Sequence, residues 1–198
     1  MKGLAIVVLA SCFYQCVSQD PPLPITVNIK VEKEYELKEN KDNYAAIIRE
    51  NYYVVNSDSV RQPYFDINLV ISNTSNNSIS IWLMKCSYYH NFIINNNYIS
   101  IKGHGCDSNY PILVKFKPGE SKKYKFTLAR SIKFDYPCEH CNYGPQVETT
   151  KLGLIIIDDI FESKMRVFDY AIAMNDKSKW RIVWSNPLQL LDKQTEKK

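Results

Sequence analysis

Glycine occurs only six times in 198 residues, and alanine is scarce as well. Little alanine means little of the best helix former. The 14 tyrosines and many isoleucines pull the same way, toward strands. No apolar run reaches the roughly 20 residues that a helix needs to cross a bilayer, so none is expected to span one. Also missing are a Gly-x-Ser-x-Gly elbow, a His-Glu-x-x-His helix and a phosphate-binding glycine loop. The commonest signatures of hydrolases, metalloproteases and nucleotide enzymes are therefore absent. The 25 Lys and Arg against 21 Asp and Glu leave a formal charge of +4, spread along the chain. The densest basic stretch, Lys193-Gln194-Thr195-Glu196-Lys197-Lys198, is a short charged tail covering 191–198. Nucleic-acid recognition needs a basic stripe or face, and none is present.

What is present begins with export. Met1-Lys2-Gly3 is a short positive start, and Leu4 to Ala10 an uncharged apolar run ending in small residues. That order is the layout of a secretory signal, here over 1–11. Leu9-Ala10-Ser11-Cys12 then resembles the lipobox of bacterial lipoproteins. The resemblance implies cleavage before Cys12, acylation of its thiol by lipid of the palmitate type, and attachment to a membrane in the cell envelope. Two or more acyl chains hold stably where one holds marginally. The alternative is cleavage near Ser18 or Gln19 and a secreted chain. Residues 12–24 carry Pro21, Pro22 and Pro24 and read as a stiff extended tether.

From residue 25 to 190 the pattern is that of strands. Thr26–Val31 alternates polar and apolar, followed by a charged run from Glu32 to Asp42. A short helix is possible near Asn43–Glu50. Phe65, Ile67, Leu69 and Ile71 repeat every second residue, the period of a half-buried strand. The turn formers Asn73-Thr74-Ser75-Asn76-Asn77-Ser78 lead to Ile79, Ile81 and Leu83, the expected hairpin partner. Strands follow at Tyr98–Lys102 and Ile112–Phe116. The turn Lys117-Pro118-Gly119-Glu120 then enters Tyr124, Phe126 and Leu128. Leu152–Ile157, Arg166–Ala173 and Trp180–Trp184 complete the set, with Ile155-Ile156-Ile157 reading as a strand covered on both sides. Eight or nine short strands without a long helix predict an all-β sandwich or barrel. The Asn- and Ser-rich strand followed by the Pro-Gly-Glu turn resembles bacterial immunoglobulin-like envelope modules over roughly 64–128, so the fold expected is an immunoglobulin-like β-sandwich. The whole chain, with its closing Trp184-Ser185-Asn186-Pro187-Leu188, resembles lipoproteins of Bacteroidota. That likeness implies no activity.

The six cysteines stand at positions 12, 16, 86, 106, 138 and 141. Cys86, Cys106, Cys138 and Cys141 lie in the expected domain, allow three pairings, and in an oxidising compartment should form disulfides. Cys86–Cys106 is favoured because it ties a strand end to the loop after another strand, leaving Cys138–Cys141 as a small local ring. All three histidines are cysteine neighbours: His90 after Cys86, His104 before Cys106, His140 between Cys138 and Cys141. Thiolate and imidazole suit zinc or copper, so metal binding through His90, His104 and His140 is the alternative, although no zinc-finger spacing is matched. The pair Cys138-x-x-Cys141 opens no helical pattern, as a thioredoxin-type centre would.

No cofactor is expected, and no enzyme. Carboxylates at strand ends, Asp158, Asp159 and Asp169, keep a paired-acid hydrolase as a third reading. Tyr88, Tyr89 and Phe92 form an aromatic loop after Cys86 and are the expected contact surface for an unidentified protein or glycan. Tyr52, Tyr53 and Tyr143 fall in other loops. Trp180 and Trp184 should share one side of a strand and read as core. Asn73-Thr74-Ser75 and Asn76-Asn77-Ser78 match the glycosylation pattern.

Overall fold

The computed structural model describes residues 22–40, 59–103, 105–107, 109–130, 147–157 and 167–191. Cys12, Cys16, His104, His140, Cys138, Cys141, Asp158, Asp159, Tyr52, Tyr53 and Tyr143 lie outside the described residues, as do the signal segment, most of the tether and nearly all of the tail.

Among the described residues nine strands form three antiparallel groups. They are β1 (Ile25–Asn40), β2 (Ser59–Asn73), β3 (Ile79–Met84), β4 (Phe92–Ile94), β5 (Ile99–Lys102), β6 (Pro111–Phe116), β7 (Ser121–Arg130), β8 (Leu152–Ile157) and β9 (Trp180–Trp184). One sheet runs β1-β2-β7-β5, another β4-β8-β9, and β3 pairs with β6 alone. The first order is that of the A-B-E-D sheet of an immunoglobulin-type sandwich and the second that of its C-F-G sheet, with β3–β6 added. The chain is an all-β sandwich, with nine strands among the described residues. Among the described residues no helix is long and apolar enough to cross a membrane.

The core follows from the alternation. Val27, Ile29 and Val31 of β1 and Phe65, Ile67, Leu69 and Ile71 of β2 face inward with Phe126 and Leu128 of β7. Leu152, Leu154 and Ile156 of β8 meet them in the same cluster, with Phe116 and Leu188. All six residues of β8 are buried, as the continuous apolar run predicts.

Three expectations are corrected. Ile79–Met84 is not the hairpin partner of β2, which lies between β1 and β7. The chain after the turn crosses over instead, so the Asn- and Ser-rich segment is a corner between sheets. Arg166–Ala173 is not a strand: Val167–Asn175 is an α-helix, α1. Its buried Tyr170 and Ala173 and its packed Met174 recur at three and four residues, a helical period that a few apolar positions cannot separate from a strand. Finally, β1 does not end before the charged run but continues to Asn40.

That continuation contains a bulge. The β1–β2 register shifts between Val31 and Lys33, so Glu32 is the extra residue. Before it, the odd positions face the core. After it, Glu34 pairs with the core residue Phe65 and Glu36 with Pro63, whereas Tyr35 pairs with Tyr64 on the other face of the sheet, which is also buried. One inserted residue therefore moves Glu34 and Glu36 to the face that Phe65 takes, where Glu34 is half-buried and Glu36 exposed.

The Lys117–Glu120 turn forms as expected. Gly119 has φ +69°, a conformation that glycine adopts at little cost. The Glu120 carboxylate accepts from the Lys117 backbone N–H at 2.7 Å and from Lys122 at 3.0 Å, which holds its pKa below the usual range.

Candidate functional site

Cys86 and Cys106 form a disulfide with their Cα atoms 6.1 Å apart. It joins the loop after β3 to the segment after β5, as the sequence reading favoured. A closed loop of 20 residues is worth about 3 kcal/mol on the chain-entropy model. The double variant Cys86→Ser/Cys106→Ser should lose roughly that much stability in urea unfolding, and a loss below about 1 kcal/mol would remove the bridge from the list of main supports.

The aromatic loop beside it is largely packing. Tyr88 sits 5.2 Å from Tyr124 and 5.3 Å from Phe126, ring to ring, and donates its hydroxyl to the Lys125 carbonyl at 2.6 Å. Burial pushes the Tyr124 phenol up to about 12, with Tyr88 adding to the shift. Tyr89 lies against Gly103, where a Cβ would meet its ring at 2.6 Å. Phe92 is 6% exposed, edge-on to Phe126 at 5.0 Å, and offers no surface to a partner. Tyr88 and Tyr89 are half-buried and keep part of their rings open.

The His90 ring is tilted against that of Tyr89, with centroids 4.5 Å apart. Among the described residues no three of His, Cys, Asp and Glu converge on a metal-sized point. Cys86 and Cys106, joined to each other, are not thiolate ligands. Asp169 stands exposed in the first turn of α1, not at a strand end. Of the two glycosylation patterns, Asn73 has its amide buried and engaged, whereas Asn76 is exposed.

The bulge in β1 builds a site that the sequence did not announce. Where Glu34 and Glu36 take the face of Phe65 lies a cleft of about 390 Å³, within the usual range for small-ligand pockets. Arg130, the last residue of β7, reaches the same cleft, and Tyr35, Tyr64 and Leu190 line it further. Glu34 accepts a hydrogen bond from the Leu191 backbone N–H, which fixes the closing segment against β1. The Tyr35 and Tyr64 rings stack 5.6 Å apart. Lys33 lies 4.9 Å from the Tyr35 centroid and Lys102 5.7 Å from that of Tyr64. The Tyr64 hydroxyl donates to Gln62, whose amide donates to the Arg130 carbonyl at 2.7 Å. The Tyr35 hydroxyl reaches Asp66 at 3.2 Å. Burial, and then the Asp66 charge, raise the Tyr35 pKa. Two carboxylates, one guanidinium and aromatic rings at one rim can accept and donate hydrogen bonds while covering an apolar ring face. The missing signal was the bulge: read in unbroken alternation, Glu34 and Glu36 are outward surface charges.

A second surface lies on β9. Trp184, Ile182 and Trp180 share the outer face of the sheet, and Ile182 and Trp184 are 36% and 41% exposed. Trp180 and Trp184 were expected on one side, and are, but Trp184 stands open instead of in the core. No family model, curated protein or solved structure matches this chain.

Proposed function

We propose that this chain is a lipid-anchored module of a bacterial cell envelope that binds a partner and does no chemistry on it. The cleft between Glu34, Glu36, Arg130 and the Tyr35–Tyr64 pair is its recognition site. A glycan segment suits that lining, because sugars combine hydroxyl groups with an apolar ring face. The lipobox-like Leu9-Ala10-Ser11-Cys12 supports the address. The observation that carries the binding reading is the β1 bulge, which puts the half-buried Glu34 and the exposed Glu36 into the lining of a cleft that Arg130 also reaches. Sites at the ends of a rigid sandwich are where such folds place recognition.

Two measurements test the two halves. Intact mass of native protein should show a chain starting at an acylated Cys12, and Cys12→Ser should make the protein extractable from membranes by an alkaline high-salt wash that leaves the acylated parent in place. Oligosaccharide titration of the full chain should show binding that Tyr35→Ala or Glu34→Gln weakens by about tenfold, the effect of losing one good contact of roughly 1.4 kcal/mol. Binding untouched by both substitutions would move recognition elsewhere. A peptide partner with the same sensitivity would keep the site and change its ligand.

A further inference from the structure

We infer that the strip Trp180, Ile182 and Trp184, rimmed by Lys177 and Lys179, is the face that this domain lays on an anionic lipid bilayer. The inference rests on the proposed anchor at Cys12.

The strip is apolar by construction. In the β8–β9 register Gly153 faces Trp184, Ile155 faces Ile182 and Ile157 faces Trp180. A Cβ at Gly153 would meet Ile182 Cγ2 at 2.6 Å and the Trp184 ring at 2.8 Å, so both side chains close down over the glycine. Ile155 beneath is 4% exposed yet stands outside the central cluster, covered on this outer side. As β9 is the edge strand of its sheet, a planar surface can approach it.

Its position is the second argument. Pro22, Leu23 and Ile25 share a groove of about 500 Å³ with Arg181, Ile182 and Trp184, so the chain enters the domain beside the strip. The ten residues from Cys12 to Pro22 span at most about 36 Å when fully extended. An acylated Cys12 therefore keeps this face within one tether length of the lipid. The recognition cleft begins at Glu34, nine residues along β1 from Ile25, which is about 30 Å away at the rise of a strand. The strip and the cleft are therefore separate sites along β1.

Charge is the third. Lys177 and Lys179 are both exposed, and the Lys177 ammonium lies 5.9 Å from the Trp180 ring centroid. The nearby Asp176 carboxylate is turned to the Ser178 N–H and hydroxyl at 3.1 and 2.6 Å. Tryptophan favours the headgroup layer, and lysines at its rim are drawn to anionic lipid.

The test uses the full chain carrying Cys12→Ser, so that no acyl group contributes. It should sediment with phosphatidylcholine vesicles containing phosphatidylglycerol, less with pure phosphatidylcholine, and its tryptophan fluorescence should be quenched by brominated lipid. Ile182→Ser/Trp184→Ser should lower vesicle affinity by about tenfold or more, with a circular-dichroism spectrum unchanged. Lys177→Gln/Lys179→Gln should remove the preference for anionic lipid. Loss of binding in the strip variant supports the proposal whatever mass Cys12 shows in native protein. Vesicle binding that the strip variant keeps, or none by the parent, overturns it even where Cys12 carries lipid. A dimer that only the strip variant abolishes, without vesicle binding, also overturns it and gives the face to a second copy. Intact mass alone decides the anchor.

Discussion

Asn91→Ala should cost about 3–5 kcal/mol, more than most substitutions of a single polar side chain. Asn91 is fully buried beside β4, at the end of the short turn Tyr88–Asn91. Its side-chain oxygen accepts from the Met84 backbone N–H at 2.8 Å. Its amide donates to the Trp82 carbonyl at 3.2 Å and to the Tyr170 hydroxyl. One side chain thus joins β3, the turn and α1. Alanine leaves a backbone N–H, a carbonyl and a phenol without that partner in a dry interior, and each such loss costs about 1–3 kcal/mol. Tyr170 shows how dry the site is: burial pushes its phenol up to about 12, against a small downward pull from Asn91. Tyr170→Phe removes one of the three bonds and leaves Asn91 its backbone partners, so it should cost only about 1 kcal/mol. Urea unfolding of both variants checks the ratio. Equal losses would mean that the helix contact, not the backbone bonds, is what Asn91 supplies.

Neither Asn91 nor the cleft was legible in the sequence, for one physical reason. Alternation reports which face a residue takes while the strand stays regular, and it marked β2, β3 and β7, whereas β8 showed as a continuous apolar run. It carries no information about pairing partners, so β2 and β3 read as a hairpin although the chain changes sheets between them. It also fails silently at a bulge. Glu32 looks like any other residue of the charged run, yet it decides that Glu34 takes the face of Phe65 and Tyr35 that of Tyr64. The Cys86–Cys106 pair was legible because loop logic and the expected strand ends agreed. Trp180 and Trp184 were legible as neighbours, but the exposure of Trp184 was not, because exposure depends on what the other face of the sheet meets.

The two surfaces share a geometric cause. β1 is long enough to serve both: its first residues lie beside Trp184 and its later ones pass the bulge into the cleft. Between them Asn186 exchanges hydrogen bonds with the backbone of Ile29, at 2.8 and 3.0 Å, which clamps the closing segment alongside β1. The Ile29 clamp and the bond from Leu191 to Glu34 hold the end of the domain parallel to its beginning. On the proposed anchor at Cys12, that rigidity would hold the cleft at a fixed distance from the point of attachment.

The largest loss is expected from Asn73→Asp, which changes one nitrogen for one oxygen. Asn73 is 1% exposed at the corner where the chain leaves β2 for β3. Its amide nitrogen donates to the carbonyls of Asn77 at 2.7 Å, Lys117 at 3.0 Å and Phe116 at 3.4 Å. Its oxygen accepts from the Ser75 N–H and hydroxyl at 2.9 and 2.8 Å. Aspartate keeps the second set but points a carboxylate oxygen at three carbonyl oxygens, with no donor between them. Leaving the acceptors unmatched costs about 1–3 kcal/mol each, and burying the charge adds to it. About 4 kcal/mol or more should be lost at neutral pH. Asn73→Ala, which creates the voids without the repulsion, should lose less. The sign of the pH dependence separates the two. A carboxyl held among acceptors has its pKa raised on folding, so the folded aspartate variant takes up a proton that the unfolded chain releases. Its stability relative to the parent should then recover as pH falls from about 8 to about 5, while the alanine variant stays level. Parallel curves for both variants would mean that the corner opens to water and that Asn73 does not bind its three carbonyls together.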